Sequence, residues 1–149
     1  MYYDPSAAQT VFESPTTKTL IPLDVTEKIL FSLDFLQQLP GDSTRVGAFL
    51  QKILPFSFRA HRQRLGLEGI HLHDAISVMA MVSPELFETV ELNGQVETGN
   101  GSARGFTIFD RREFPDSRPN MEVAIGMDVG AVEDGILRGL KYAGQQSPS

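Results

Sequence analysis

The sequence predicts an α/β fold, because helical and strand patterns alternate along its 149 residues. Apolar residues recur every three or four positions in several stretches, which is the spacing of an amphipathic helix. Apolar and polar residues alternate over 18–23 and 122–127, which is the spacing of a half-buried strand. Gly99-Asn100-Gly101 predicts a late antiparallel hairpin. We therefore expect one domain over residues 1–149, with helices flanking a sheet.

The N-terminal part predicts a short helix followed by a strand. Asp4 precedes Pro5, which is a typical N-cap with proline at the first helical position, and this helix should end near Ser14-Pro15. The strand over 18–23 contains Pro22, which lacks a backbone donor and favours a bulge or a sheet edge.

Helical spacing continues through the next forty residues. Asp24-Val25-Thr26-Glu27 has the spacing of a capping box and predicts one helix that reaches Pro40-Gly41. A second helix is predicted over 44–54, where Pro55 breaks or kinks it, and 56–65 resumes as a helix.

The second half predicts a buried helix, a hairpin and a final strand and helix. Residues 74–82 form an almost continuous apolar run, which predicts a buried helix with Asp74 as its cap. Asp128 is predicted to cap the last helix, and Asp110-Arg111-Arg112 to form structural ion pairs. The other elements are a connector over 66–72, a strand over 87–98 paired with 105–110, a loop over 110–119 and a strand over 122–127.

Composition narrows the function classes. The formal net charge is -6, from 19 acidic and 13 basic residues, which argues against broad capture of nucleic acid or anionic membranes. The chain has no cysteine, which excludes disulfides, thiol catalysis and zinc held by sulfur. The first residues lack a signal-peptide pattern, and no apolar run approaches the roughly 18 residues of a spanning helix. We expect a cytoplasmic protein with neither nucleic-acid nor membrane partners.

The strongest candidate site lies in residues 69–75, which hold two of the three histidines and an acid. Imidazole exchanges protons near neutral pH, and a carboxylate at a helix start is stabilised by unpaired N–H groups. Asp74 could simply cap the helix, with His71 and His73 as ordinary loop residues. Alternatively, the two histidines could share one side of an extended segment and bind a transition metal.

Six short blocks in the correct order resemble the C-terminal half of the inosine/uridine-preferring nucleoside hydrolases. The blocks are Tyr3-Asp4-Pro5-Ser6-Ala7-Ala8 with Val11-Phe12-Glu13-Ser14, Leu20-Ile21-Pro22-Leu23-Asp24-Val25-Thr26, Gly66-Leu67-Glu68-Gly69 with Leu72-His73-Asp74, Pro84-Glu85-Leu86-Phe87, Arg104-Gly105 and Asp110-Arg111-Arg112. The resemblance implies a mostly parallel open sheet with flanking helices and the late hairpin. It also implies a glycosidase-type enzyme that hydrolyses purine or pyrimidine ribonucleosides to base and ribose.

The resemblance further implies roles for individual residues. Asp74 matches a carboxylate that binds calcium in the family, and His73 matches the histidine proposed to assist the leaving base. His61 and Phe58 lie where family members place residues over the base. The family's aspartate-rich calcium loop has no counterpart in these residues. Because calcium takes six to eight oxygens, we expect weak or no activity from this chain alone.

Two other functions remain open at this point. The chain could be a non-catalytic truncated product, or a subunit that docks onto an intact homologue or forms a homo-oligomer. It could also be an unrelated transition-metal hydrolase that uses His71 and His73 on zinc or iron. The nucleoside-hydrolase interpretation requires a small-molecule nucleoside as its ligand.

Overall fold

The computed structural model describes residues 1–146, and they fall into two compact units. One unit contains residues 1–22 and 88–126, and the other contains residues 23–87 and 127–146. The helices are α1 (Pro5–Glu13), α2 (Leu23–Thr26), α3 (Leu33–Gln38), α4 (Arg45–Leu65), α5 (His73–Val82) and α6 (Val129–Gln145), with a short 3-10 helix at Pro84–Leu86. The strands are β1 (Thr19–Leu20), β2 (Phe31–Ser32), β3 (Gly69–Ile70), β4 (Phe87–Val96), β5 (Thr107–Asp110) and β6 (Met121–Met127). The predicted α/β class is confirmed.

The first unit contains a four-stranded sheet in the order β1-β6-β4-β5. β1 runs parallel to β6, with Thr19 opposite Glu122. β4 and β5 are antiparallel, with Val96 opposite Thr107, so the predicted late hairpin is confirmed. The sheet and α1 enclose a small core of Phe12, Val96, Met121 and Val123.

The second unit is mainly helical. α4 and α5 both pack against α6, α4 also contacts β3, and α2 contacts α5. Its largest fully buried apolar side chains are Val25, Phe31, Ile70, Ile76 and Val132. The N-caps predicted for the terminal helices are confirmed: Asp4 accepts from Ala7 N at 2.9 Å, and Asp128 accepts from Ala131 N at 3.0 Å.

The single helix predicted from residue 24 to residue 40 is wrong. The segment forms α2, the short strand β2 and α3, because β2 pairs antiparallel with β3, with Phe31 opposite Ile70. Both paired side chains are fully buried. Gly69 permits this approach, since a Cβ there would lie 2.6 Å from Leu30 Cγ. A long-range strand pair therefore overrides the local helical spacing.

Of the two effects predicted for Pro55, a break or a kink, the break is wrong, because α4 continues through the proline to Leu65. Leu54 and Phe58 are buried on either side of the proline. Their burial outweighs the hydrogen bond that proline removes, a loss of roughly 3 kcal/mol in a helix interior. Gly66, with a φ of 68°, ends the helix in the left-handed conformation that glycine adopts without strain.

The start and the burial of α5 differ from the prediction. The helix begins at His73 with Leu72 at the cap position, so Asp74 lies in its first turn and is not the cap. Ile76 is the one fully buried residue of α5, whereas Val78, Met81 and Val82 are more than half exposed.

Among the described residues, no helix combines the length and hydropathy needed to span a membrane.

Candidate functional site

The candidate site is the start of α5, where three segments of the second unit meet. α2 supplies Thr26 and α5 supplies His73, and the two helices are in contact. The β2–β3 pair brings the chain around Ile29 next to His71. The structure therefore brings both predicted histidines together with a threonine that sequence reasoning did not single out.

His73 is half-buried and hydrogen-bonded to Thr26. Its Nδ1 lies 2.8 Å from Thr26 Oγ1, and Thr26 itself is only 1% exposed. A buried hydroxyl without a partner costs about 1–3 kcal/mol, so this contact satisfies a group that folding has removed from water. The bond engages Nδ1 of His73, and among the described residues Nε2 makes no hydrogen bond.

His71 is held by a different kind of partner. Its Nδ1 lies 2.7 Å from the carbonyl oxygen of Ile29, which can only accept a hydrogen bond, so Nδ1 carries the hydrogen. The His71 and His73 rings are stacked, with centroids 5.4 Å apart and an interplanar angle of 18°. His71 therefore supports one face of the His73 ring.

Asp74 follows His73 directly and is exposed. Within residues 1–146 its carboxylate makes no hydrogen bond or ion pair. The positive end of the α5 dipole favours a carboxylate at this position. Asp74 is thus an ionisable oxygen donor that the fold does not use for capping.

The described residues do not form a complete metal site. Residues 1–146 contain no group of three or more His, Asp or Glu side chains placed to hold an ion. Asp74 fits one position of a calcium site, because calcium prefers carboxylate oxygens, but it leaves most of the coordination unfilled. His71 and His73 likewise have no third ligand in this part of the chain, so the structure gives the transition-metal interpretation no support.

Phe58 and His61 both lie on α4, but in different surroundings. Phe58 is buried and lines a cavity of about 530 Å³ together with Asp34, Arg59 and Arg62. His61 is half-buried, and its Nδ1 lies 2.9 Å from the carbonyl oxygen of Ser57. Within the described part of the chain, neither His61, His73 nor Asp74 lines that cavity. The structure therefore does not place the four predicted site residues around one cavity.

The ion pairs predicted for the 110–112 segment are confirmed for Asp110 and Arg112. Arg112 donates to both oxygens of Asp110, at 2.9 and 2.6 Å, and to Asp116 at 2.7 Å. The hydrogen bonds from the Arg112 side chain lower the pKa of Asp110 from 3.8 to about 2. The same bonds raise the pKa of the Arg112 guanidinium. This cluster lies in the first unit and stabilises a loop.

Comparison with known proteins identifies relatives along almost the whole chain. The family model described as inosine-uridine preferring nucleoside hydrolase matches residues 1–134. The chain is 30% identical over 143 residues to the pyrimidine-specific ribonucleoside hydrolase of Shigella boydii and equally to that of Salmonella newport. Each match covers 95% of this chain and 46% of the relative, so the chain spans about half the length of these curated relatives.

Solved structures give the same result. The purine-preferring ribonucleoside hydrolase from Gardnerella vaginalis superposes with a TM-score of 0.86 at 32% identity, over 97% of this chain and 46% of that one. A plant nucleoside hydrolase superposes with a TM-score of 0.83 at 23% identity, over 94% of this chain and 46% of that one. At the lower identity the likeness concerns the fold alone.

Proposed function

Because the chain belongs to the inosine-uridine preferring nucleoside hydrolase family, we propose that it supplies the leaving-group side of a ribonucleoside N-ribohydrolase site. The observation that supports this most directly is the start of α5. There a half-buried imidazole is held through one nitrogen by Thr26, next to an exposed carboxylate without a protein partner. A fixed imidazole next to a carboxylate that can bind a metal is the arrangement that glycosidic hydrolysis needs, whereas a purely structural helix start needs neither group.

His73 is proposed to act on the departing base. Breaking the bond between ribose and base leaves an electron pair on a ring nitrogen while positive charge develops on the sugar. A hydrogen bond or a proton from His73 Nε2 stabilises that electron pair, and general acid catalysis of this kind contributes about 10²–10⁴-fold. His71, stacked on the ring, limits its rotation.

Asp74 is proposed to bind calcium as one ligand of a site completed by groups beyond those described. Its exposed carboxylate and the N-terminus of α5 support this role. His61 and Phe58 are proposed to contact the base, on the strength of their places on α4 and the resemblance. Because Asp74 is the single proposed ligand here, turnover by this chain alone should be slow or undetectable.

Calcium binding can be tested without any turnover. In the amide NMR spectrum, calcium should shift the signals of His73 and Asp74, and the shift should disappear in Asp74→Asn. Asp42→Asn is the matched control, because Asp42 is also an exposed aspartate and has no proposed role. A calcium shift that survives in Asp74→Asn would exclude Asp74 as a ligand.

The catalytic roles are tested with leaving groups that differ in their need for a proton. Inosine and uridine release bases that need stabilisation at nitrogen. The substrate 4-nitrophenyl riboside instead releases 4-nitrophenolate, which departs without being protonated. Because turnover by this chain should be slow, the assay uses high protein concentrations, and we expect His73→Ala to lower calcium-dependent turnover of inosine and uridine by about 10²-fold or to the uncatalysed level, and to spare 4-nitrophenyl riboside. Asp74→Ala should lower all three. Turnover of inosine that is insensitive to both variants would contradict the proposal.

A second candidate is supported by the exposed face of α5. The side chains of Val78, Met81 and Val82 are each more than half exposed and form one apolar face of α5. The chain spans only 46% of the length of the relative from Shigella boydii. We propose that this face packs against a polypeptide that supplies the rest of the fold. Met81→Lys should then reduce co-purification with a co-expressed homologue, whereas Tyr142→Lys, also at an exposed position, should not.

A further inference from the structure

We propose that Thr26 is a positioning residue that keeps the neutral His73 ring in the form with its hydrogen on Nε2. The proposal depends on the proposed function for its catalytic meaning, but its structural content stands on contacts in the second unit alone. Thr26 is the one buried polar residue among those described, and it lies 47 positions before His73 in the chain. Its hydroxyl has one hydrogen, and where that hydrogen points decides the tautomer of His73.

Two acceptors compete for the Thr26 hydroxyl hydrogen. His73 Nδ1 lies 2.8 Å from Oγ1, and the carbonyl oxygen of Leu23 lies 3.4 Å away. The first distance is ideal for an O–H donor, while the second exceeds the usual range. The Leu23 carbonyl also accepts from Glu27 N at 2.8 Å, which leaves its second lone pair free, so the distance to Thr26 Oγ1 is what decides between the two acceptors. Thr26 therefore donates to His73 Nδ1.

When Thr26 donates, it determines which nitrogen of the neutral His73 ring carries the hydrogen. Nδ1 uses its lone pair to accept, so in the neutral imidazole the hydrogen must be on Nε2. Nε2 is then the donor nitrogen of the ring. The opposite tautomer would present a lone pair toward the lone pair that forms on the leaving base, which is repulsive. The Thr26 hydroxyl thus selects the ring form that can assist departure of the base.

The other two histidines provide an internal contrast. Nδ1 of His71 faces the carbonyl of Ile29, and Nδ1 of His61 faces the carbonyl of Ser57. Both rings must carry their hydrogen on Nδ1 when neutral, since a carbonyl cannot donate. The chain has only three histidines. His73 is therefore expected to differ from both others in the same spectrum.

The test is nitrogen-15 NMR of the histidine rings at a fixed pH where all three are neutral. His73 should show its hydrogen on Nε2 and an Nδ1 signal typical of a hydrogen-bonded acceptor, while His61 and His71 show theirs on Nδ1. Thr26→Ser retains the hydroxyl and should preserve the His73 pattern. Thr26→Val retains the shape without the hydroxyl, so the Nδ1 signal should move to that of an unbonded ring nitrogen.

Two results would overturn the proposal. One is a hydrogen on Nδ1 of His73 in the native protein, which needs no variant and so does not depend on Thr26→Val folding. The other is an Nδ1 signal that is unchanged in folded Thr26→Val. Neither readout uses turnover. The nucleoside hydrolase function could therefore fail while the Thr26 assignment stands, and the Thr26 assignment could fail while the function stands.

Discussion

The start of α6 and the start of α5 use an aspartate in opposite ways. Asp128 is the N-cap of α6, and its carboxylate accepts the N–H of Ala131 at 3.0 Å. Asp74 lies inside the first turn of α5, which has no side-chain cap. Both carboxylates gain from the helix dipole, but Asp128 is committed to the backbone and Asp74 is not. One aspartate therefore caps its helix, and the other is left without a protein partner among residues 1–146.

The other helix starts include both kinds, because α3, like α5, has no side-chain cap hydrogen bond and carries an aspartate, Asp34, in its first turn. α1 and α4 have side-chain caps, supplied by Asp4 and Thr44, and each accepts the N–H of the residue three positions later. α5 instead leaves its first N–H groups without a side-chain acceptor, and its stability depends on contacts with α2 and α6. A helix held by packing can keep its N-terminal carboxylate for a ligand.

The largest expected effect concerns the capped start of α4. Gly47 donates its N–H to Thr44 Oγ1 at 3.0 Å, and a Cβ at this position would lie 1.9 Å from the carbonyl oxygen of Gly41. Overpacking costs about 1–3 kcal/mol, and here the contacted atom is backbone and cannot rotate away. We expect Gly47→Ala to lower the free energy of unfolding by about 3 kcal/mol, measured by urea denaturation.

Gly139→Ala is the matched control for this substitution. It lies within α6, and a Cβ there would have no other atom within 4 Å. Alanine is favoured over glycine in a helix interior by about 1 kcal/mol, so this variant should be slightly more stable. If the two variants shift the urea midpoint in the same direction, the close approach at Gly47 does not limit stability.

The second prediction compares the two aspartates directly. Asp128→Ala removes a cap and should lower the free energy of unfolding by about 1 kcal/mol. Asp74→Ala removes only an interaction with the helix dipole, which is typically worth about 0.3–1 kcal/mol at an exposed site. Thermal unfolding at equal ionic strength should therefore rank Asp128→Ala as the less stable protein.

The same two variants should reverse their order in a calcium titration. Asp128→Ala should retain the calcium-dependent shift of His73, and Asp74→Ala should lose it. An Asp74→Ala protein that is as destabilised as Asp128→Ala would show that Asp74 is structural after all. The distinction between the two helix starts would then disappear.

The parts of the fold that the sequence predicted correctly are those set by local chemistry. The caps of α1 and α6 depend on a donor three residues away, so Asp4 and Asp128 could be recognised without knowing the fold. The hairpin of β4 and β5 likewise joins strands that are neighbours in the sequence, with a glycine-containing connection over 97–106. Each of these signals lies within a few residues of the structure that it specifies.

The errors arise where distant segments decide the structure. Residues 24–40 have helical spacing, but pairing of Phe31 with Ile70 gives β2 instead. Thr26 lies in a helix as its capping-box pattern predicts, but its contact is with a histidine 47 residues away, which no local pattern could indicate. The apolar run of α5 indicated hydrophobicity correctly, but hydrophobicity alone does not specify what covers a helix face.

The smallest expected effect concerns a third carboxylate, Asp110, which is committed to a side chain and not to a helix. Arg112 holds its pKa at about 2, below the ordinary 3.8, because the guanidinium hydrogen bonds favour the charged form. The stability that this bond contributes is therefore fully present above pH 3.8 and is lost as the pH falls toward 2. Carboxyl NMR should show Asp110 titrating near 2 in the native protein and closer to 3.8 in Arg112→Gln, with the neighbouring Arg111→Gln as control. Since the Arg112 side chain is 60% exposed, added salt should weaken its effect on the Asp110 pKa. An Asp110 titration that is the same in Arg112→Gln would show that the backbone of the loop, and not the guanidinium, holds the carboxylate.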